Sequence, residues 1–273
     1  MTSDHRPGRP DEVNLADLNF GEMCRVISRN AGGRVLETDG LLLWAGSHPS
    51  PAIINGVIRT GNDASPAREV IDIAGRWFAE MGHGYTLHVR VGRDDDLEVA
   101  ALEMGFRRVI ELPVMVYDGP VPEVATPDGY VLARVDDAQG VRDLVDAVGV
   151  PLELPDEVAS VFAHPRSVLS PLTAAVVARD DRGRPVAGAF TAVSHFAAGV
   201  GFVGTVEAAR GRGLGTAVTA AVMRLGFAMG AECAILQASP MGRAVYARMG
   251  FREVSCYRVL VDGGPGVTPH AGH

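Results

Sequence analysis

Apolar residues in the second half of the chain follow two periods, which distinguish predicted helices from predicted strands. After Gly213 they recur every three to four residues, which predicts a helix that ends near Gly230, since glycine is suited to cap it. The apolar face of this helix consists of Ala217, Val218, Ala221, Val222, Leu225 and Met229. A further helix is predicted at 140–148. Short β-branched runs bounded by turn residues predict strands at 130–135, 174–179, 185–195 and 200–206.

A second feature is an internal repeat. The segment 102–109, LEMGFRRV, is echoed by 247–254, ARMGFREV, so that Phe106 corresponds to Phe251 at an offset of 145 positions (251 − 106). Each copy has the order helix, strand, short helix ending in Met-Gly-Phe, and final apolar strand. The strands are predicted at 86–91 and 109–117 in the first copy, and at 234–236 and 254–261 in the second. The repeat indicates a duplicated α+β unit.

The stretch 118–129 contains three prolines, two glycines and no apolar periodicity, which is typical of a linker. We therefore predict two tandem domains of the α+β class at 11–118 and 130–262, joined by residues 119–129. Each has enough residues for a core of its own. Each is expected to be a mixed, mostly antiparallel sheet flanked by helices. The tails, 1–10 and 263–273, are rich in glycine, proline and polar residues and are predicted to be disordered.

Composition and charge narrow the possible functions. Of the 273 residues, 47% are hydrophobic and 21% charged, and no apolar run approaches the roughly 20 residues of a membrane helix. The first residues do not form a secretory signal, so a cytoplasmic protein is expected. A net charge of −8 with dispersed arginines disfavours nucleic acid as a partner. The sequence has no lysine, which excludes the P-loop lysine, and its three cysteines lack metal-ligand spacing.

A glycine-rich loop lies between a predicted strand and the helix that follows Gly213. Its sequence is Arg210-Gly211-Arg212-Gly213-Leu214-Gly215-Thr216. Unpaired amides in the first turn of a helix form an anion site, and glycines allow a diphosphate to approach the backbone closely. The loop lacks the third glycine of a dinucleotide fingerprint because Thr216 occupies that position. It therefore predicts a phosphate-binding loop of another class.

The spacing Arg210-x-x-Gly213-x-Gly215 resembles the (Gln/Arg)-x-x-Gly-x-(Gly/Ala) signature of the GCN5-related N-acetyltransferases, the GNAT family. The segment 237–251, QASPMGRAVYARMGF, is similar to the family's second motif and follows at the expected separation. The resemblance covers about 130–260. It implies a domain that takes acetyl-CoA as acyl donor and needs no metal, and the repeat implies two tandem GNAT-like domains.

The resemblance also implies how acetyl-CoA would bind. The sheet would separate between the strand ending near Val206 and the strand near Ile235. The pantetheine arm would bond the backbone of Gly204, Thr205 and Val206, and the pyrophosphate would lie on residues 211–216 beside Arg210. Ser239, where relatives often have asparagine, is a further candidate contact.

Acyl transfer to an amine requires a base for the amine and an acid for the departing thiolate. Tyr246 resembles the general acid of the family, and an unperturbed phenol, with a pKa of about 10, is comparable in acidity to an alkyl thiol. The alternative is that Tyr246 only packs in the core. Glu207, just after the cofactor strand, is the candidate base, with a solvated loop carboxylate as the alternative.

Further polar residues near the predicted site have no single assigned role. His195, near a strand end, is expected to be structural. His164, Glu153 and Asp156 lie in a proline-broken segment, 150–171, that resembles the acceptor-binding lid of the family. Cys256 could act as a nucleophile, but its position in an apolar strand favours a structural thiol.

The first half lacks equivalents of the predicted site residues. With the helix ends aligned at Gly82 and Gly230, the residues opposite Arg210, Gly213 and Gly215 are Asn62, Ser65 and Ala67. Counting five residues back from Phe106, the equivalent of Phe251, puts Ala101 opposite Tyr246. We therefore expect a degenerate first domain that binds no acetyl-CoA, and a working second domain.

The favoured function is transfer of an acetyl group from acetyl-CoA to a primary amine of a small molecule or peptide by direct attack. An acyl-CoA sensor without turnover and an acyl-CoA hydrolase are the alternatives. The sequence leaves open the acceptor, the length of the acyl chain and the oligomeric state.

Overall fold

The fold was analysed in a computed structural model, which describes residues 11–38, 40–51, 54–61, 65–152 and 154–262. The tails predicted to be disordered, and Asn62, Asp63 and Glu153, lie outside the described residues.

The described helices and strands alternate in two similar series. The first half consists of α1 (Glu12–Asn30), β1 (Arg34–Thr38), β2 (Leu41–Ala45), β3 (Asn55–Arg59), α2 (Ala67–Ala79), β4 (Thr86–Arg90), α3 (Asp95–Glu103) and β5 (Phe106–Tyr117). The second half consists of β6 (Tyr130–Arg134), α4 (Ala138–Val148), α5 (Asp156–Phe162), α6 (Pro165–Val168), β7 (Thr173–Asp180), β8 (Pro185–Ser194), β9 (Ala197–Thr205), a 3-10 turn (Glu207–Ala209), α7 (Leu214–Ala228), β10 (Cys233–Gln237), α8 (Pro240–Arg248) and β11 (Arg252–Asp262).

These elements agree closely with the sequence predictions. Strands and helices lie within about three residues of their predicted bounds, and 118–129 carries neither helix nor strand. Gly230, with φ +99°, follows α7 in the left-handed conformation expected of a terminating glycine. The proline-broken segment differs in part, because it contains the short helices α5 and α6. The α+β class and the mostly antiparallel pairing are confirmed.

The two halves share one sheet. In the described residues its order is β1-β2-β3-β4-β11-β5-β10-β9-β8-β7-β6, so the final strand of each half lies beside the penultimate strand of the other. Antiparallel pairing joins β11 to β4 and β5 to β10, and β5 and β11 also pair with each other. Each half therefore completes the sheet of the other. The boundaries at 118 and 130 remain a prediction, and the cores they separate are joined by this strand exchange.

The only parallel neighbours in the described sheet are β3 with β4 and β9 with β10. Each pair is hydrogen-bonded over three residue positions, and the last pairs are Ile58 with His88 and Gly199 with Ile235. We call the end of each pair a fork. Beyond it, β3 ends after one more residue, whereas β9 continues for six, from Val200 to Thr205. The predicted separation of the sheet thus exists in the second half.

Helices cover both faces of the sheet. Helix α1 of the first half crosses to the second half, where the Asn19 amide nitrogen donates to the carbonyl oxygen of Ala197 at 3.1 Å. Helix α5 packs on α1 through a cluster that includes Ile27, Val158 and Phe162. The proline-broken segment 150–171, which we call the lid-like segment, is therefore held between the two halves.

Candidate active site

The glycine-rich loop has the backbone that its sequence predicts. Gly211 and Gly213 have φ values of +73° and +82°, a region that side chains disfavour. Gly213 is the N-cap of α7, and the first helical hydrogen bond runs from the Ala217 amide to the Gly213 carbonyl at 3.0 Å. The amides of residues 214–216 consequently have no acceptor within the helix. They form a potential anion site at the positive end of the helix dipole.

Two arginines flank these amides. The Arg210 Nε donates to the Thr205 carbonyl at 3.2 Å, which joins the loop to the end of β9. Arg212 is exposed and lines a cavity of about 400 Å³ next to the 3-10 turn. Pro127, from the stretch between the halves, lies against the loop, because a Cβ added at Gly213 would be 3.9 Å from its Cγ. The loop thus carries two arginines and is in contact with the stretch between the halves.

The strand that leads into the loop carries a bulge at the fork. The pairing of β8 with β9 shifts register between Phe190 opposite Gly201 and Gly188 opposite Gly204, which leaves one extra residue on β9. Phe202, within this bulge, has φ +52°. Its ring packs edge-on against Phe162 of α5 with ring centres 4.1 Å apart. Such strained residues are held by their surroundings and cluster at functional sites. Val206 follows the strand, and its amide donates to Val186 at 2.9 Å.

Tyr246 lies on α8 in the apolar core beside the fork. Its ring packs edge-on against Phe251 with ring centres 5.9 Å apart, and the same cluster contains Leu214 and Ala238. The hydroxyl makes no hydrogen bond to any described residue. Burial raises the pKa of Tyr246 to about 12, so the phenol keeps its proton at neutral pH.

Burial thus moves the pKa of Tyr246 away from that of an alkyl thiol in water, and the role of Tyr246 as the acid stays a prediction. The same desolvation would raise the pKa of a thiolate formed beside the phenol, which reduces the difference.

The remaining predicted residues have distinct surroundings. Ser239 is the N-cap of α8, where its Oγ accepts from the Gly242 amide at 3.1 Å. Glu207 is exposed in the 3-10 turn, and its carboxylate has no hydrogen-bond or ion-pair partner among the described residues. Both stay candidates. The hydroxyl of Ser239 retains a proton to donate, and the Glu207 carboxylate faces solvent just after β9.

The other polar candidates are not brought together. His195 lies in the exposed turn between β8 and β9, at the opposite end of β9 from the glycine loop. His164 caps α6 by accepting from the Arg166 amide at 3.2 Å, and Asp156 is the exposed first residue of α5. Burial raises the pKa of the half-buried Cys256 thiol, which opposes thiolate formation. Among the described residues there is no cluster of three or more potential metal ligands.

Charged side chains fill the corresponding fork of the first half. Arg59 and Arg90 end the two strands, and the Asp94 carboxylate lies between them, 3.5 Å from Arg59 Nη1 and 2.7 Å from Arg90 Nε. Arg59 also pairs with Asp96 at 2.7 Å and donates to the Ser65 carbonyl at 2.8 Å. We call Arg59, Arg90 and Asp94 the ion cluster. The cluster was not predicted from the sequence, because Arg59 lies 31 and 35 positions before Arg90 and Asp94 (90 − 59 and 94 − 59).

The helix after this fork also begins differently. The N-cap of α2 is Pro66, with φ −50°, where α7 has Gly213. The helix starts therefore place Pro66, not Ser65, opposite Gly213. Proline has no amide hydrogen to offer a phosphate.

Comparison with known proteins identifies the class of fold. A GCN5-related N-acetyltransferase from Kribbella flavida is similar, with a TM-score of 0.71, 22% sequence identity, and coverage of 92% of this chain and 95% of that one. A GCN5-related N-acetyltransferase from Sphaerobacter thermophilus has a TM-score of 0.61 and 14% identity, covering 93% and 94% of the two chains. A tandem GNAT protein from the clavulanic acid biosynthesis pathway has a TM-score of 0.58 and 17% identity, covering 83% and 79%. At these identities the likeness establishes the fold.

A family model matches part of the sequence. Residues 150–251 match the model of the acetyltransferase (GNAT) family. This part of the chain is therefore a domain of the GNAT family, whose acetyltransferases use acetyl-CoA as donor. No curated protein sequence is significantly similar to this chain. No helix in the described part of the chain is long and apolar enough to cross a membrane.

Proposed function

We propose that the protein transfers the acetyl group of acetyl-CoA to a primary amine at the fork between β9 and β10. The observation that carries this proposal is the continuity of the open edge of β9 with the amino-terminal turn of α7. The edge offers backbone groups of Gly204, Thr205 and Val206 to the pantetheine arm, except the Val206 amide, which already donates to Val186. The free amides of residues 214–216, with Arg210 and Arg212, favour the pyrophosphate.

In the proposed reaction the amine nitrogen attacks the thioester carbonyl carbon, a C–N bond forms, and the C–S bond breaks. Tyr246 donates its phenolic proton to the departing sulfur, so that CoA leaves as a thiol. The proton lost by the nitrogen passes to Glu207 or to water and returns to the phenolate through solvent. No covalent acyl-enzyme forms, and the products are the N-acetyl amine and CoA.

The roles of the two candidate groups rest on different observations. Tyr246 is protonated at neutral pH and buried beside the α7 start, as an acid for a desolvated thiolate would be. Glu207 is exposed and without a partner among the described residues, so it can accept a proton by way of water. The segment 150–171, whose Phe162 packs on Phe202 of β9, is the part of the chain from which contacts to the acceptor are expected.

The test is release of free thiol from acetyl-CoA with benzylamine, spermidine, glucosamine and an alanyl peptide as acceptors. The proposal expects thiol release only with an amine, together with a product heavier by one acetyl group in mass spectrometry. Thiol release from acetyl-CoA alone would instead identify a hydrolase.

A regulatory acyl-CoA sensor is the second candidate, favoured by the high pKa of Tyr246, which disfavours proton donation. It predicts calorimetric binding of acetyl-CoA without thiol release for any amine in the panel. Its second expectation is a change of thermal stability on binding that persists in Tyr246→Phe.

A further inference from the structure

The strand exchange brings a side chain of the first half next to the proposed acid. Tyr117, the last residue of β5, pairs in register with Ala234 of β10. Its ring packs on Phe251 with ring centres 5.4 Å apart, and Phe251 in turn packs on Tyr246. A chain of three aromatic rings therefore runs from the first half to the phenol of Tyr246.

Tyr117 makes further contacts in addition to its packing on Phe251. Its hydroxyl donates to the Pro120 carbonyl at 2.5 Å. A Cβ added at Gly250, where φ is +95°, would be 3.1 Å from the Tyr117 ring, and one at Gly119 would be 2.9 Å from its hydroxyl oxygen. The ring thus fits between two glycines and is anchored at its tip.

Tyr246 has no such anchor of its own. Its hydroxyl makes no hydrogen bond to a described residue, so contacts on the ring set its position. Those contacts include Phe251 and the close approach of Gly242, where an added Cβ would be 2.8 Å from the Tyr246 ring. Contacts that fix the position of the Phe251 ring therefore also help to fix the position of the Tyr246 ring.

The other copy of the repeat lacks both tyrosines. At the offset of 145 positions, Phe106 corresponds to Phe251, Ala101 to Tyr246, and Asp262 to Tyr117. The register agrees, since Phe106 pairs with Asp262 across β5 and β11. Gly105, the equivalent of Gly250, has nothing within 4 Å of an added Cβ. A tyrosine at the end of the neighbouring half's strand therefore supports this phenylalanine only at the copy that has the phenol, whereas Phe106 packs on Tyr85 of its own half.

We propose that Tyr117 is a positioning residue that holds the phenol of Tyr246 at the reacting sulfur through Phe251. This inference rests on the proposed acetyl transfer. It makes the first half a structural part of the active site, although that half has no site of its own.

The test uses the full-length Tyr117→Leu variant, which removes the ring, and Tyr117→Phe, which removes only the hydroxyl. The first is expected to lower kcat about tenfold for the fastest amine of the panel, with acetyl-CoA affinity by calorimetry within twofold of wild type. The second should retain at least half of the wild-type kcat, because the ring still supports Phe251. Tyr85→Leu is the matched control, since Tyr85 packs on Phe106, the equivalent of Phe251, with ring centres 5.8 Å apart. It should leave kcat unchanged.

A double variant separates positioning from general stability. In Tyr246→Phe there is no proton to position, so adding Tyr117→Leu should lower kcat no further. A further tenfold loss in the double variant, or an equal loss of acetyl-CoA affinity in Tyr117→Leu, would overturn the inference. If Tyr246→Phe itself had wild-type kcat, the proposed acid would be wrong instead.

A measurement without any acceptor completes the test. In protein labelled with 3-fluorotyrosine, the resonance assigned through Tyr246→Phe should titrate at lower pH in Tyr117→Leu, because solvent reaches the phenol. Tyr85→Leu should leave that titration unchanged. An unaltered titration in Tyr117→Leu would contradict the inference even if no active amine were found.

Discussion

Each half contains a fork at the end of a pair of parallel strands, but the residues at the two forks differ. In the first half β3 ends one residue beyond its last pair with β4, and the ion cluster occupies the fork. In the second half β9 runs on for six residues and leads into a loop of glycines. We propose that these charged side chains, which bond to each other across the first fork, exclude a ligand from it.

The largest expected effect is on the free energy of unfolding and concerns the ion cluster at the first fork. Arg59→Met would remove one of the cationic partners of the Asp94 carboxylate, which is 1% exposed. It would also remove the arginine that pairs with Asp96. We expect the free energy of unfolding in urea to fall by about 3 kcal/mol. Arg68→Met is the control, because it breaks an exposed pair with Glu103 and should change stability by about 0.5 kcal/mol or less. Equal effects for both variants would mean that the ion cluster does not hold the fork closed.

The next effect concerns the open fork. Gly213→Glu would place a bulky acidic side chain at a left-handed position beside the expected pyrophosphate. Acetyl-CoA affinity by calorimetry should fall at least about 100-fold, whereas Ser65→Glu in the first half should have no effect. The wild type should bind one acetyl-CoA per chain. Two sites per chain would contradict the assignment of a single working fork.

Tyr246→Phe tests the chemistry of the open fork. The hydroxyl is needed only when the thiolate leaves, so kcat should fall by about 100-fold while acetyl-CoA affinity is retained. Steady-state kinetics with calorimetry on the same samples would separate the two quantities. Unchanged kcat under conditions where chemistry limits the rate would leave Tyr246 as a packing residue.

The smallest effect is a pH dependence of the closed half. Burial lowers the pKa of His88, beside the first fork, to about 3, whereas the unfolded chain has an ordinary histidine near 6.5. Between pH 6.5 and about 3 only the unfolded state takes up this proton, so the free energy of unfolding decreases as pH falls through this range. The loss is about 2 kcal/mol at pH 5.

His88→Ile copies Ile235, the residue at the same position of β10, and should remove this part of the pH dependence. Urea unfolding at pH 7 and pH 5 would measure it. A wild type and variant that lose the same stability between these pH values would show that His88 is not the group responsible.

The bounds of the helices and strands could be predicted from the sequence because glycines and prolines restrict the backbone dihedral angles locally. Gly213 and Gly230 fix the start and end of α7 through their φ values, whatever the rest of the chain does. The glycine loop was predictable for the same reason, since Gly211 and Gly213 have positive φ values, and the anion site inferred there stays a prediction.

Long-range features could not be read in this way. The apolar pattern of β5 and β11 is the same whichever strand lies beside them, so the exchange leaves no local signal. Arg59 and Asp94 are separated by 35 positions and look like surface residues in the sequence. The raised pKa of Tyr246 also leaves no local signal, because the cluster that buries its ring includes Met115 of the first half.

The strand exchange also has a consequence for biosynthesis. In the finished sheet β4 and β5 are separated by β11, which ends at Asp262. At roughly 5 to 20 residues per second, the ribosome needs on the order of 10 s or more to reach that strand after it has made Tyr117. During this interval the backbone N–H and C=O groups that will pair with β11 are unpaired on β4 and β5. The nascent first half must therefore wait for the last strand, and shielding of these edges by a chaperone would favour correct folding.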